Sequence, residues 1–181
     1  MPRHDWNNLI DKYYPAGSRL RDIYMRHSQD VAAKALDIAR RKQLPLSEAE
    51  IEEAAMLHDI GIFLTNAPGI ECHGQLDYIC HGTAGADLLR SEGFSEEVAR
   101  VAERHTGMGL TADDIRRQQL PLPGRDYVPE TLLEKLVCYA DKFFSKGGGM
   151  GEKSFEKARG SVARFGEDSA RRFDELAAMF E

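Results

Sequence analysis

Wherever apolar residues recur in this chain they recur at helical spacing, and each clear stripe is interrupted by one polar side chain. Leu20, Tyr24, His27, Val31, Ala35 and Ile38 share a face of a long helix that Ser18 caps and that ends near Leu44-Pro45. Ile51, Ala55 and His58 share a face of a second, opened by Ser47-Glu48-Ala49-Glu50 as a capping box and ended by Gly61. Val98, Val101 and His105 align on a third behind Ser95, and Leu133, Val137, Asp141 and Phe144 on a fourth running from Thr131 to about Lys146. Shorter helices are predicted around Trp6 to Tyr13, from Gly82-Thr83 to Ser91, and after Thr111. No segment alternates with period two, so the predicted class is all-α, a compact multi-helix bundle.

An unpaired aspartate on a buried face is costly, so Asp141 needs a cation or a metal ion beside it. A single histidine on an apolar face is usually a satisfied core residue. Three of them on separate helices, His27, His58 and His105, with Asp141 on a fourth and Asp59 next to His58, predict a common centre. Imidazole and carboxylate groups converging in a helical core are how bundles hold divalent metals. His81, just before a helix start, is a further candidate ligand.

His58-Asp59-Ile60-Gly61 resembles the signature of the HD-domain superfamily, metal-dependent phosphohydrolases named for their His-Asp doublet. The family's minimal set corresponds here to His27, His58-Asp59 and Asp141, with His27-Ser28 and Ala140-Asp141-Lys142 in fitting surroundings. His81 in His81-Gly82-Thr83 and His105 in Arg104-His105-Thr106-Gly107 resemble the extra histidines of the two-metal subset. The resemblance covers about residues 18–146. It implies an HD domain, taken as 1–146, with its metal site in the core; the glycine hinge and C-terminal helical extension over 147–181, outside the resemblance, are expected to pack on that domain. It also implies two divalent ions, iron or manganese first and zinc, cobalt or magnesium as alternatives. Asp59 would bridge them, His27, His58 and Asp141 would complete one shell, and His81 and His105 would hold the other.

Two ions sharing a carboxylate and a water supply a hydroxide near neutral pH and neutralise phosphoryl charge. The implied activity is cleavage of a phosphate ester or anhydride of a nucleotide or another small phosphorylated metabolite, with Asp59 and His73 as catalytic candidates. Arg104, Lys142 and Lys146, near the ligands in sequence, are candidate substrate contacts, and His73 lies in a loop where a lid or proton donor could sit. Two rivals share the ligand set: a mixed-valent di-iron oxygenase and a non-catalytic ligand-binding domain. Ile62-Phe63-Leu64 after the doublet, where the oxygenases resemble one another in a polar residue, counts against the first. The absence of Gly-Tyr-Pro after His105 counts against the cyclic di-GMP branch.

Charge and length set the remaining expectations. A balance of 24 Lys+Arg against 30 Asp+Glu, net -6, disfavours a nucleic-acid polymer as partner. At 181 residues a chain buries roughly 70% of its unfolded surface without disulfides. Cys72, Cys80 and Cys138, odd in number and in no metal-like spacing, are expected to be reduced thiols. No apolar run reaches the length of a membrane span, and Met1-Pro2-Arg3-His4 is unlike a signal peptide, so a cytoplasmic protein is expected. Phe155, Phe173 and Phe180 on the extension would complete the monomer's core or, alternatively, pair two copies as a homodimer.

Overall fold

The computed structural model describes residues 5–148 and 151–181; Gly149 and Met150 of the expected hinge, and the first four residues, lie outside them. Among the described residues nine α-helices follow one another: α1 Trp6–Tyr13, α2 Arg19–Arg41, α3 Glu48–Leu57, α4 His81–Ser91, α5 Glu96–Arg104, α6 Ala112–Gln118, α7 Leu132–Asp141, α8 Phe155–Ala163 and α9 Glu167–Phe180. Local chemistry accounts for their starts. Ser18, Ser95 and Ser154 each accept from a backbone amide three residues on, and Ser47/Glu50, Thr111/Asp114 and Thr131/Glu134 form reciprocal capping boxes.

Two expectations need correction. The fourth striped helix ends at Asp141, not near Lys146, because the next amides bond three residues back: Phe143 N to Ala140 O and Phe144 N to Asp141 O. That tightening swings the Lys142 and Lys146 side chains toward the carboxylates of the core. The connection after Gly61 also holds a strand pair, β1 Asn66–Ala67 antiparallel to β2 Cys72–His73. Glu71 makes its turn in the left-handed region at φ 63°. Two residues per strand are too few to leave a periodic signal.

α2 packs on α3, α4 on α5 and α8 on α9, while α7 lies against α2, α3, α5 and α9. The stripes meet in one core, with Tyr24, Val31, Ile38, Ile51, Leu136 and Val137 fully buried. Phe173 and Phe180 of α9 set their rings 5.2 and 5.5 Å from that of Tyr139 on α7. The three cysteines are buried and unpaired. No helix among the described residues is long and apolar enough to cross a membrane.

The turn after α3 is fixed from several sides. Its carbonyls would be orphans of a helix end, but the Tyr24 hydroxyl donates to Met56 O and the Tyr14 hydroxyl to Ile60 O at 2.8 Å. Gly61 lies flat on the first turns of α4. A methyl group there would stand 2.4 Å from His81 O and 2.5 Å from Gly85 N, both backbone atoms that cannot yield cheaply. Gly61→Ala is therefore expected to destabilise the protein by about 3 kcal/mol or more. Thermal unfolding measures it, and a change below about 0.5 kcal/mol would mean that α4 moves aside freely.

Candidate metal centre

The ends of helices build the centre. His27 comes from the middle of α2, but His58 caps the C-terminus of α3, His105 that of α5, and Asp141 is the last residue of α7. His81 opens α4 and closes a 3-10 turn over Tyr78–Cys80. Three α-helix C-termini therefore converge, each bringing the negative end of its dipole, a setting that favours positive charge.

His58, His81 and His105 share one local geometry. Each ring sends Nδ1 back to the carbonyl three residues earlier: Ala55 O at 2.6 Å, Tyr78 O at 2.6 Å and Ala102 O at 2.8 Å. A carbonyl only accepts, so Nδ1 carries the hydrogen, and in the neutral ring Nε2 faces inward with its lone pair. This carbonyl contact satisfies a helix-end acceptor and orients a ligand at once.

Asp59 lies in the middle, fully buried. Its Oδ2 stands 3.2 Å from His27 Nε2 and 3.2 Å from His58 Nε2, and its Oδ1 3.1 Å from His105 Nε2 and 3.4 Å from His81 Nε2. Asp141 Oδ1 joins the first set, 2.8 Å from His27 Nε2 and 3.3 Å from His58 Nε2. In the second set the two imidazole nitrogens of His81 and His105 face each other at 3.1 Å. The six side chains thus divide into His27, His58, Asp59, Asp141 and Asp59, His81, His105, with Asp59 in both.

These separations fit metal ions. Donors bound at about 2.1 Å with octahedral or tetrahedral angles stand about 3.0–3.4 Å from one another. With both ring hydrogens on Nδ1, two Nε2 lone pairs face each other across 3.1 Å with no hydrogen between them, a contact that a shared cation would resolve. The mixed nitrogen and carboxylate set suits first-row transition ions rather than an all-oxygen magnesium cage.

The two carboxylates make the His58 side of the centre the more strongly attractive to positive charge. Burial pulls His58 down, but the Asp59 and Asp141 carboxylates outweigh it and push the group up to about 10. Burial dominates at His105, which is pulled down to about 4 despite its bond to Asp59. Asp59 and Asp141 are held well below the usual carboxylate range: burial opposes this, but the cations and imidazoles around them prevail. Two ammonium groups supply part of that positive charge, Lys146 Nζ 2.7 Å from Asp59 Oδ2 and Lys142 Nζ 2.7 Å from Asp141 Oδ2. Lys142 also donates to His105 O at 2.8 Å, closing the end of α5.

A cavity of about 780 Å³ opens on the centre, and His81, His105, Asp141, Lys142 and Lys146 reach its wall. Two residues predicted for the site are not brought to it. Arg104 precedes His105 on α5, so with the histidine inward it turns about 100° away. Its guanidinium donates to Val128 O at 3.0 Å and pairs with Glu130 at 3.2 Å. His73 on β2 keeps 69% of its side chain exposed, its near partner being Glu71 at 3.9 Å. Tyr78, not singled out from the sequence, stacks on His81 with ring centroids 4.4 Å apart.

Comparison with known proteins gives a consistent kinship. The HD domain family profile matches residues 24–145. A tRNA (cytidine(56)-2'-O)-methyltransferase of Picrophilus torridus is 36% identical over 124 residues, 68% of this chain and 32% of that protein. The protein of the same name from Thermoplasma volcanium is 31% identical over 141 residues, 78% of this chain and 37% of that one. An uncharacterised protein of Methanocaldococcus jannaschii is 37% identical over 120 residues, 65% of this chain and 63% of that one. The chain thus spans about a third of each methyltransferase. Among solved structures, the HD domain of the L. monocytogenes phosphodiesterase PgpH superposes with a TM-score of 0.57 at 16% identity, covering 97% of both chains. Its complex with cyclic-di-AMP superposes at 0.54 and 15%, covering 94% of this chain and 92% of that one. At those identities the likeness is one of fold.

Two donor sets sharing Asp59 could hold two ions, and the stoichiometry is measurable. After dialysis against manganese and removal of excess, elemental analysis is expected to find two equivalents in the wild type and one in His81→Ala. Asp59→Ala is expected to hold none, with helical circular dichroism retained. Two equivalents in Asp59→Ala would disprove the bridging role.

Proposed function

The chain belongs to the HD-domain family, and on that premise we propose that it is a metal-dependent phosphohydrolase acting on a nucleotide or other small phosphorylated metabolite. The observation that carries the reading is the division of Asp59 between two donor sets, one oxygen toward His27 and His58 and the other toward His81 and His105. A single structural ion needs one closed shell and no such sharing. Divalent ions held by these six residues would supply an acidified water and neutralise charge on the phosphoryl oxygens.

The chain's own groups do the rest. Asp59 and the three carbonyl-anchored imidazoles hold their donor atoms fixed, so little reorganisation accompanies reaction. Lys142 and Lys146 reach from the carboxylates to the cavity wall, where their ammonium groups would meet the phosphate. The cavity gives the substrate room beside the centre, within the range of about 300–1,000 Å³ typical of small-molecule sites. The relative described as bound to cyclic-di-AMP makes nucleotide phosphodiesters reasonable members of a screen. The methyl transfer named for the two archaeal relatives is no part of this proposal, since this chain spans only about a third of each.

The test is phosphate or nucleotide release from a panel of nucleotides and aryl phosphates by the manganese- or iron-loaded protein, in air and without oxygen. Hydrolysis is expected in both atmospheres, with His58→Ala and Asp59→Ala lowering it by at least about 10³-fold. Consumption of oxygen coupled to turnover would overturn the hydrolytic reading in favour of an oxygenase with the same ligands.

A further inference from the structure

The cavity over the metal centre has a wall that the family-matched residues do not provide. Residues 24–145 carry all six donor side chains, and α8, the residues before it and the turn after it lie beyond that match. Yet Lys153, Ser161, Val162 and Phe165 line the same cavity as His81, Asp141 and Lys146. The attachment is specific: the Lys153 amide donates to Phe143 O at 2.8 Å, two residues past Asp141, and Ser154 caps α8.

Two side chains of this segment lack an explanation in the fold. Phe165, at the tip of the turn between α8 and α9, is 75% exposed although it borders a largely apolar cavity. Lys153 reaches the cavity yet makes no ion pair among the described residues, whereas Lys142 and Lys146 are held by Asp141 and Asp59. An ammonium without an ion-pair partner and an exposed aromatic ring on the lining of one cavity suit a ligand with an extra anionic group and a flat apolar one. Ile70, Leu110, Phe144 and Val162 supply apolar surface to the same cavity.

We propose that the C-terminal segment completes the substrate pocket and selects nucleotides carrying more than one phosphoryl group. In this arrangement one phosphoryl group sits at the metal centre, the second on Lys153, and the base lies against Phe165. The inference rests on the phosphohydrolase reading for the place of the first phosphoryl group. It assigns Lys153 and Phe165 as specificity-determining residues rather than members of the metal site.

Binding to the manganese-loaded protein separates the parts, with the non-cleavable adenosine 5′-(α,β-methylene)diphosphate and plain methylenediphosphonate as probes in calorimetric titrations. The wild type is expected to bind the nucleotide at least about ten-fold more tightly than methylenediphosphonate, about 1.4 kcal/mol, since its base can stack on Phe165. Phe165→Ala should remove that difference without changing affinity for methylenediphosphonate. Lys153→Ala should weaken both probes about ten-fold, and Lys153→Arg should restore them. A wild type that binds neither probe or both equally, or variants that bind as the wild type does, would overturn the assignment. The binding pattern without phosphate or nucleotide release from any member of the panel of nucleotides and aryl phosphates would support the pocket and overturn the hydrolytic reading instead.

Discussion

One carboxylate shared by four imidazoles organises this protein. Asp59 is fully buried, and an isolated buried carboxylate would cost several kcal/mol, so everything around it has to supply positive charge or hydrogen bonds. His27, His58, His81 and His105 surround it, Lys146 reaches in from beyond α7, and three helices end with their negative poles toward the cations it gathers. Several helices are short because their ends, rather than their faces, have to arrive at that point.

The histidines resolve the two costs of this plan together. A helix that stops in the interior leaves carbonyls without partners, and a ligand on a loose side chain loses affinity to rotation. Placing histidine at the stop, with Nδ1–H on the carbonyl three residues back, meets both needs at Ala55, Tyr78 and Ala102. Gly61 then lets the turn bearing Asp59 lie directly on α4, so that the donors on either side of the carboxylate are held by backbone contact.

Much of this was legible in the sequence because it obeys the helical period. The stripes pointed to His27, His58, His105 and Asp141, the caps to the helix starts, and position alone made Asp59 and His81 candidates, while the resemblance supplied the division of the six into two sets. What escaped notice depends on direction rather than spacing. Arg104 adjoins a donor but turns away toward Val128, and His73 sits on a ribbon too short to be periodic. Lys146 was named, but its reach to Asp59 depends on α7 stopping at Asp141, which no breaker residue announces. The place of Lys153 and Phe165 at the cavity required the tertiary path of a segment joined through glycines.

The crowding of donors around Asp59 also bears on how long the molecule survives. Ions that bind the folded chain and not the unfolded one stabilise it by mass action, by about 2.7 kcal/mol at a hundred-fold excess over the dissociation constant. Without them, facing nitrogens such as those of His81 and His105 at 3.1 Å remain inside the core with no cation between. With the proposed ions bound, folded lifetime would become a function of the surrounding metal supply, and a cell starved of the ion would lose the protein itself to unfolding and proteolysis.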